Sequence, residues 1–265
     1  MKELTVSQIK EIQLNILQVI ADFCDKNNIT YFLGSGTLIG AIRHQGYIPW
    51  DDDIDLLMPR PDYEVFISIF NKDDSNFKVF SNENDSKYCY PFAKVSDQRT
   101  LLVEDLNENF EGIGINVDIF PIDGLPEKKK EQVKLFKKIT IVQKLLSYTS
   151  TPIRKERKLY KNWILRIIKL LNANCLVNKL SDLAKSNKYN NAKEVGMIVW
   201  SSNKSIPSVS KQVFEKYKLE LFEGEEYKVP IGYHQWLTKV YGDYMKLPPE
   251  DKRVSHHHFK AYLIE

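Results

Sequence analysis

Leu33-Gly34-Ser35-Gly36-Thr37-Leu38-Ile39-Gly40-Ala41-Ile42-Arg43-His44-Gln45-Gly46-Tyr47-Ile48-Pro49-Trp50-Asp51-Asp52-Asp53-Ile54-Asp55-Leu56-Leu57-Met58 is the stretch on which the fold turns. The short apolar run Ile29 to Leu33 reads as a strand, Gly34-Ser35-Gly36 as a turn, and Thr37 to His44 as a helix. After Pro49, the residues Ile54, Leu56 and Met58 alternate with Asp53, Asp55 and Leu57, as in a strand whose two faces are used differently. Asp51, Asp52, Asp53 and Asp55 crowd four carboxylates into five positions. Like charges this close raise one another's proton affinity unless a cation compensates, so a divalent ion is the economical explanation. On a strand, Asp53 and Asp55 would project from one face and offer two hard oxygen donors, as Mg²⁺ prefers. A calcium loop of the EF-hand type fails at its sixth position, Leu56 where Gly is needed, and at its twelfth, Asp62 where Glu is usual.

Outward from this stretch, Ile9, Ile12, Ile16, Ile20 and Phe23 form one stripe of an amphipathic helix over 6–26, with Thr5 and Gln8 as a capping box. A helix is expected after Pro61, and strands near 78–81, 90–95 and 113–120, the last bounded by Gly112 and Pro121. In that last strand Ile115, Val117 and Ile119 point one way, and Asn116 and Asp118 the other. Asp118 is thus a third carboxylate for the same ion if its strand adjoins the first. From Glu127 to about Asn187 the periods are helical, through Val133, Phe136 and Ile139 and then Ile164, Ile167, Ile168 and Leu171, with a break at 150–152. No linker divides the chain. The expected fold class is α+β in one domain over 1–265, a mixed β-sheet core at about 30–125 flanked by helices, then a largely helical region at about 126–265.

The elements Leu33-Gly34-Ser35, Asp53-Ile54-Asp55-Leu56 and Val117-Asp118-Ile119 resemble the nucleotidyltransferase superfamily that includes DNA polymerase β. The gap between the first two is longer than usual there, and the segment Arg43 to Trp50 accounts for it. The full string from Gly36 to Arg60, with Tyr241-Gly242-Asp243-Tyr244-Met245-Lys246-Leu247-Pro248-Pro249-Glu250-Asp251-Lys252-Arg253, resembles the LicD family of phosphocholine transferases, relatives of the fukutin proteins. That resemblance spans essentially the whole chain. It implies a nucleotidyltransferase-like sheet and transfer of phosphocholine from CDP-choline to a cell-surface glycan of lipooligosaccharide or teichoic-acid type, with release of CMP. It also implies Mg²⁺ or Mn²⁺ at the paired aspartates. The expected catalytic and metal-binding set is Asp53, Asp55 and Asp118, with one carboxylate taking the proton of the attacking sugar hydroxyl. Gly34, Ser35, Gly36 and Thr37 would bring backbone N–H groups to phosphate, and Arg43 and His44 would bind it by fork and ring nitrogen. Trp50 is either a core anchor or part of an aromatic box for choline. Asp51 and Asp52 line the same site, and Arg253, carried over from the C-terminal motif, closes over substrate. His256-His257-His258 is read as neither tag nor metal cluster.

Composition bounds the remaining choices. In 265 residues, 43% are hydrophobic and 12% aromatic, with only 11 Gly and 11 Pro, which excludes a disordered or collagenous chain. Three dispersed cysteines suggest neither a disulfide framework nor a zinc site, so a cytoplasmic setting fits. The first residues lack a secretory pattern, and no uncharged run reaches the ~18 residues of a membrane span. Net charge is +3, yet 126–170 holds 14 Lys/Arg against three acids. Such a block points to contact with phosphate-rich material, whether membrane surface, nucleic acid or charged glycan, with the inner face of an anionic membrane as the expectation, or else to a solvated helix face. The other readings are the same chemistry with another CDP-alcohol such as CDP-ribitol, and a noncatalytic binder of anionic surfaces. The second has no use for an aspartate cluster that repels polyanions, and no nucleic-acid partner is expected.

Overall fold

The computed structural model describes residues 1–72, 75–104, 112–151, 153, 159–200, 207–254 and 259–264. In chain order these form β1 (Lys2–Glu3), α1 (Val6–Lys26), β2 (Phe32–Leu33), α2 (Ser35–His44), β3 (Asp55–Pro59), α3 (Arg60–Ile69), β4 (Phe77–Phe80), β5 (Ala93–Asp97), β6 (Thr100–Glu104) and β7 (Asn116–Gly124). Then follow α4 (Lys129–Ser150), α5 (Leu159–Ile168), α6 (Ala173–Ala184), β8 (Glu194–Gly196), β9 (Val209–Ser210), β10 (Tyr217–Phe222), β11 (Glu225–Pro230), α7 (Tyr233–Tyr241) and β12 (Phe259–Leu263).

The central sheet is mixed, in the order β2-β3-β7-β5-β4, with β8 and then β9 continuing from the far end of β7. Among the described strands, only β3 and β7 run parallel. The connection between them runs through α3, β4, β5 and β6, and the fold is α+β as expected. Helix α1 has the capping box at Thr5 and Gln8 and lays Ile9, Ile16, Leu17 and Ile20 against the sheet. Leu56, Leu57 and Met58 of β3 are all buried, so both faces of this strand are covered beyond its first residue.

Three expectations are corrected. Asp53 does not lie on the strand: β3 starts at Asp55, where its pairing with β7 begins opposite Asp118. Pro121 does not end β7, which runs on to Gly124. Asp118 donates its N–H toward β3, to the Ile54 carbonyl. The nitrogen of Pro121, three residues on, therefore faces the β5 side, where β5 has already ended opposite Ile119, and no donor is required there. The region after 126 is helical without an intervening strand only through α6, with α7 the one further α-helix among the described residues. Beyond α6 come β8 and β9, the β10–β11 hairpin, and β12, which pairs with β1 and β6 in a three-stranded sheet. The hairpin turns at Glu223 and Gly224, both with positive φ, the type I′ geometry that matches strand twist.

Where β3 passes into α3, Arg60 Nε and Nη2 donate to the two oxygens of Asp123 on β7 at 2.6 and 2.9 Å, and both residues are buried. Removing one partner strands a buried charge. Arg60→Met or Asp123→Leu alone should therefore cost about 3–5 kcal/mol in urea unfolding, whereas the double variant recovers most of that loss.

Candidate functional site

Register across three adjacent strands brings charged side chains into one row. Asp55 on β3 stands opposite Asp118 on β7, and Asp118 stands opposite Lys94 on β5. Lys94 Nζ donates to Asp118 Oδ1 at 2.5 Å and to Asn116 Oδ1 at 3.1 Å, and it lies over the rings of Tyr90 and Phe92. Asp55 is under electrostatic stress. Loss of water, then the charges of Asp53 and Asp118 and more weakly Asp51, raise its carboxyl well above the usual range, against a lowering contribution from the Ser35 hydroxyl.

The turn between β2 and α2 wraps this row. Gly34 N–H donates to the Asp55 carbonyl at 2.8 Å, and Asp55 N–H donates to Thr37 Oγ1 at 2.9 Å. Thr37 therefore fastens helix to strand. Ser35 holds φ at 43°, a left-handed conformation rare outside glycine. The turn it makes leaves the first N–H groups of α2, those without intrahelical partners, beside the carboxylates. A Cβ at Gly36 would stand 2.3 Å from Asp51 Oδ2, so a side chain there displaces that carboxylate. Asp51, Asp52 and Asp53 each bring a carboxylate oxygen within 4.8 Å of the others. Carboxylate oxygens are the hard donors that Mg²⁺ or Mn²⁺ would accept. The cluster within that distance is Asp51, Asp52 and Asp53, whereas the expected set of Asp53, Asp55 and Asp118 does not form one, Asp55 and Asp118 being paired by register.

Three residues that the sequence reading passed over support the site. Gln13, buried within the apolar stripe of α1, donates through Nε2 to the Asp52 carbonyl at 2.9 Å and accepts from the Tyr47 hydroxyl at 3.1 Å. A glutamine on that stripe was the legible signal. Tyr241, at the end of α7, is 46% exposed as a residue, yet desolvation and the charges of Asp55, Asp51 and Asp53 oppose its ionisation. Lys94 gave no signal of its own, because its role follows from strand register.

Other expected residues lie elsewhere. Arg43 and His44 sit at the far end of α2, roughly 12 Å along the axis from Ser35 at 1.5 Å per residue. Arg43 donates through Nη1 to the Tyr244 carbonyl at 2.6 Å and through Nε to His44 Nε2 at 2.9 Å. Its fork joins α2 to the C-terminal segment. Trp50 is half-buried against the core and faces the Arg253 guanidinium, 5.6 Å from its ring centroid. Arg253 also donates to the Pro248 carbonyl at 2.9 Å. Trp50, Asp51, Asp52, Lys10 and Phe259 help line a cavity of about 250 Å³. His256, His257 and His258 lie outside the described residues.

Residues 28–145 match the family LicD/FKTN/FKRP, nucleotidyltransferase domain. Over 283 aligned residues, covering 100% of both sequences, the chain is 32% identical to the lipopolysaccharide cholinephosphotransferase LicD of Haemophilus influenzae. Shorter matches are to uncharacterised proteins of Rickettsia typhi, 45% identical over 56 residues (21% of this chain, 18% of the relative), and of Rickettsia prowazekii, 52% over 46 residues (16% and 17%).

Lys94 stands where a divalent ion on Asp118 would compete with it. Lys94→Met should bind Mn²⁺ about tenfold more tightly in a calorimetric titration and melt at a lower temperature in chelator, since a charged hydrogen bond is worth about 1.5–3 kcal/mol. Weaker Mn²⁺ binding in that variant would show that Lys94 orders the site instead of opposing the ion. Gly36→Ala is expected to change unfolding free energy by less than about 1 kcal/mol, because the Asp51 side chain can swing aside, while lowering Mn²⁺ affinity in the same titration.

Proposed function

Because the chain belongs to the LicD/FKTN/FKRP nucleotidyltransferase family, we propose that it transfers phosphocholine from CDP-choline to a cell-surface glycan of the lipopolysaccharide type, releasing CMP. The observation that carries this reading is the end-to-end likeness to a lipopolysaccharide cholinephosphotransferase, combined with a carboxylate row at the turn between β2 and α2. The likeness also favours choline over ribitol as the donor alcohol. The reaction site lies in the cytoplasm, at the inner face of the membrane on which such acceptors are assembled.

The acceptor hydroxyl attacks the phosphorus that bears choline, the bond from that phosphorus to the CMP oxygen breaks, and the hydroxyl proton passes to a carboxylate of the cluster. Asp53, Asp55 and Asp118, with Asp51 and Asp52 beside them, would hold the Mg²⁺ or Mn²⁺. The bound ion supplies neutralisation of charge spread over the two phosphates. The chain's own part is positioning. The N-terminal turn of α2 directs its N–H groups at the phosphates, and Thr37 keeps that turn fixed to β3. Gln13 holds the aspartate loop against α1. Tyr241 brings a neutral hydroxyl to the rim of the charged cluster.

Purified protein incubated with CDP-choline, Mg²⁺ and deacylated lipooligosaccharide should release CMP, with CDP-ribitol run in parallel, and chelator should abolish release. Asp55→Asn and Asp118→Asn are each expected to lower turnover by about 10²-fold or more. In chelator, Asp55→Asn should melt no lower than the parent, since it relieves like-charge repulsion. Near-native turnover in folded Asp55→Asn would sink the mechanism, and CMP release from CDP-ribitol alone would reassign the donor.

A further inference from the structure

Helix α5 presents its apolar side outward. Tyr160, Trp163, Ile164 and Ile167 follow at spacings of three and four on one stripe, and Leu170 and Leu171 extend that stripe through the turn after the helix. All six are exposed, among them Trp163 at 63%, Ile167 at 63% and Leu170 at 85%, whereas Leu165 is buried at 5%. Packing of Ile164, Ile167 and Leu171 into the core, their ordinary role in an amphipathic helix, is not what the structure has.

The surroundings are basic. Lys161, Arg166 and Lys169 flank the stripe and are exposed, with the Arg166 guanidinium 5.9 Å from the Trp163 ring centroid. On the neighbouring α4, Lys130, Lys134, Lys137, Lys138 and Lys144 are exposed as well. Between Gln132 and Ser181 the sequence contains one acid, Glu156. Aromatic and aliphatic side chains flanked on their own segment by Lys161, Arg166 and Lys169, beside a lysine-rich α4, fit an interface that is apolar below and anionic above, as on the surface of a charged bilayer. A second copy of this chain would bring the same positive charge against it.

We infer that α5 and the turn after it form a peripheral docking surface for an anionic phospholipid bilayer, with Trp163, Ile164, Ile167 and Leu170 entering the interface and the lysines of α4 facing the headgroups. This goes beyond the transferase reading and is tested without donor or acceptor, so either can fail alone. The full chain is sedimented with vesicles of phosphatidylethanolamine and phosphatidylglycerol, and with vesicles of phosphatidylcholine, at low and high salt. Binding is expected for the anionic vesicles only, weakened by salt, with a blue shift of tryptophan emission that Trp163→Phe removes. Trp163→Ser/Ile167→Ser and, separately, Lys137→Gln/Lys138→Gln/Lys144→Gln should each reduce partitioning by about tenfold, with circular dichroism unchanged because every altered side chain is exposed. Protein left in the supernatant with anionic vesicles, or unchanged partitioning by the Trp163→Ser/Ile167→Ser variant, would overturn the inference. So would a vesicle-free dimer that this variant dissociates, since the face would then belong to a second copy.

Discussion

Parallel pairing of β3 with β7 sets Asp55 beside Asp118, and keeping two carboxylates in one cross-strand row opposes their repulsion and the loss of water around Asp55. The pairing survives because the apolar residues of both strands are covered on both faces. Leu56, Leu57, Met58, Val117 and Ile119 are buried, and their removal from water outweighs the charge conflict at one end of the strand pair. Lys94 completes the row from β5 and offsets part of the negative charge.

The two ends of this strand pair handle charge in opposite ways. Beyond β3, Arg60 and Asp123 meet bidentately in the interior, a matched pair with no call for a ligand. At the other end Asp51, Asp52, Asp53, Asp55 and Asp118 outnumber Lys94, and the excess of negative charge is what a divalent ion and the phosphates that bind it would complement. The rigid frame and the reactive end are therefore built on the same two strands, which keeps the carboxylates in position when no cation is there to hold them.

The C-terminal third is bound to the first by specific polar contacts. Arg43 reaches the Tyr244 carbonyl across 201 positions, Tyr241 comes to the aspartates, and Arg253 stacks on Trp50. Within the segment from Tyr241 to Arg253, Tyr241 approaches the aspartates, while Tyr244 and Arg253 tie the rest to the far end of α2 and to Trp50. The apolar stripe of α5 takes part in none of these contacts, and exposed basic side chains flank it on its own segment.

The sequence by itself determined the local elements. The stripe and capping box of α1, the glycine turn before α2, the alternation around Asp118 and the crowding of aspartates at 51–55 are patterns of neighbours along the chain, and short-range sterics, hydrogen bonding and like-charge repulsion suffice to interpret them. Tertiary structure decided what those patterns could not contain. Lys94 becomes the partner of Asp118 only through the register of β5 on β7. Asp53 lies off the strand because the pairing of β3 with β7 begins only at Asp55, and Pro121 stays in β7 because its nitrogen faces the side where β5 has ended. The apolar stripe of α5 has the spacing of a core-facing helix and yet faces outward, because spacing records that a helix has an apolar side, while the packing of other elements decides whether protein covers it.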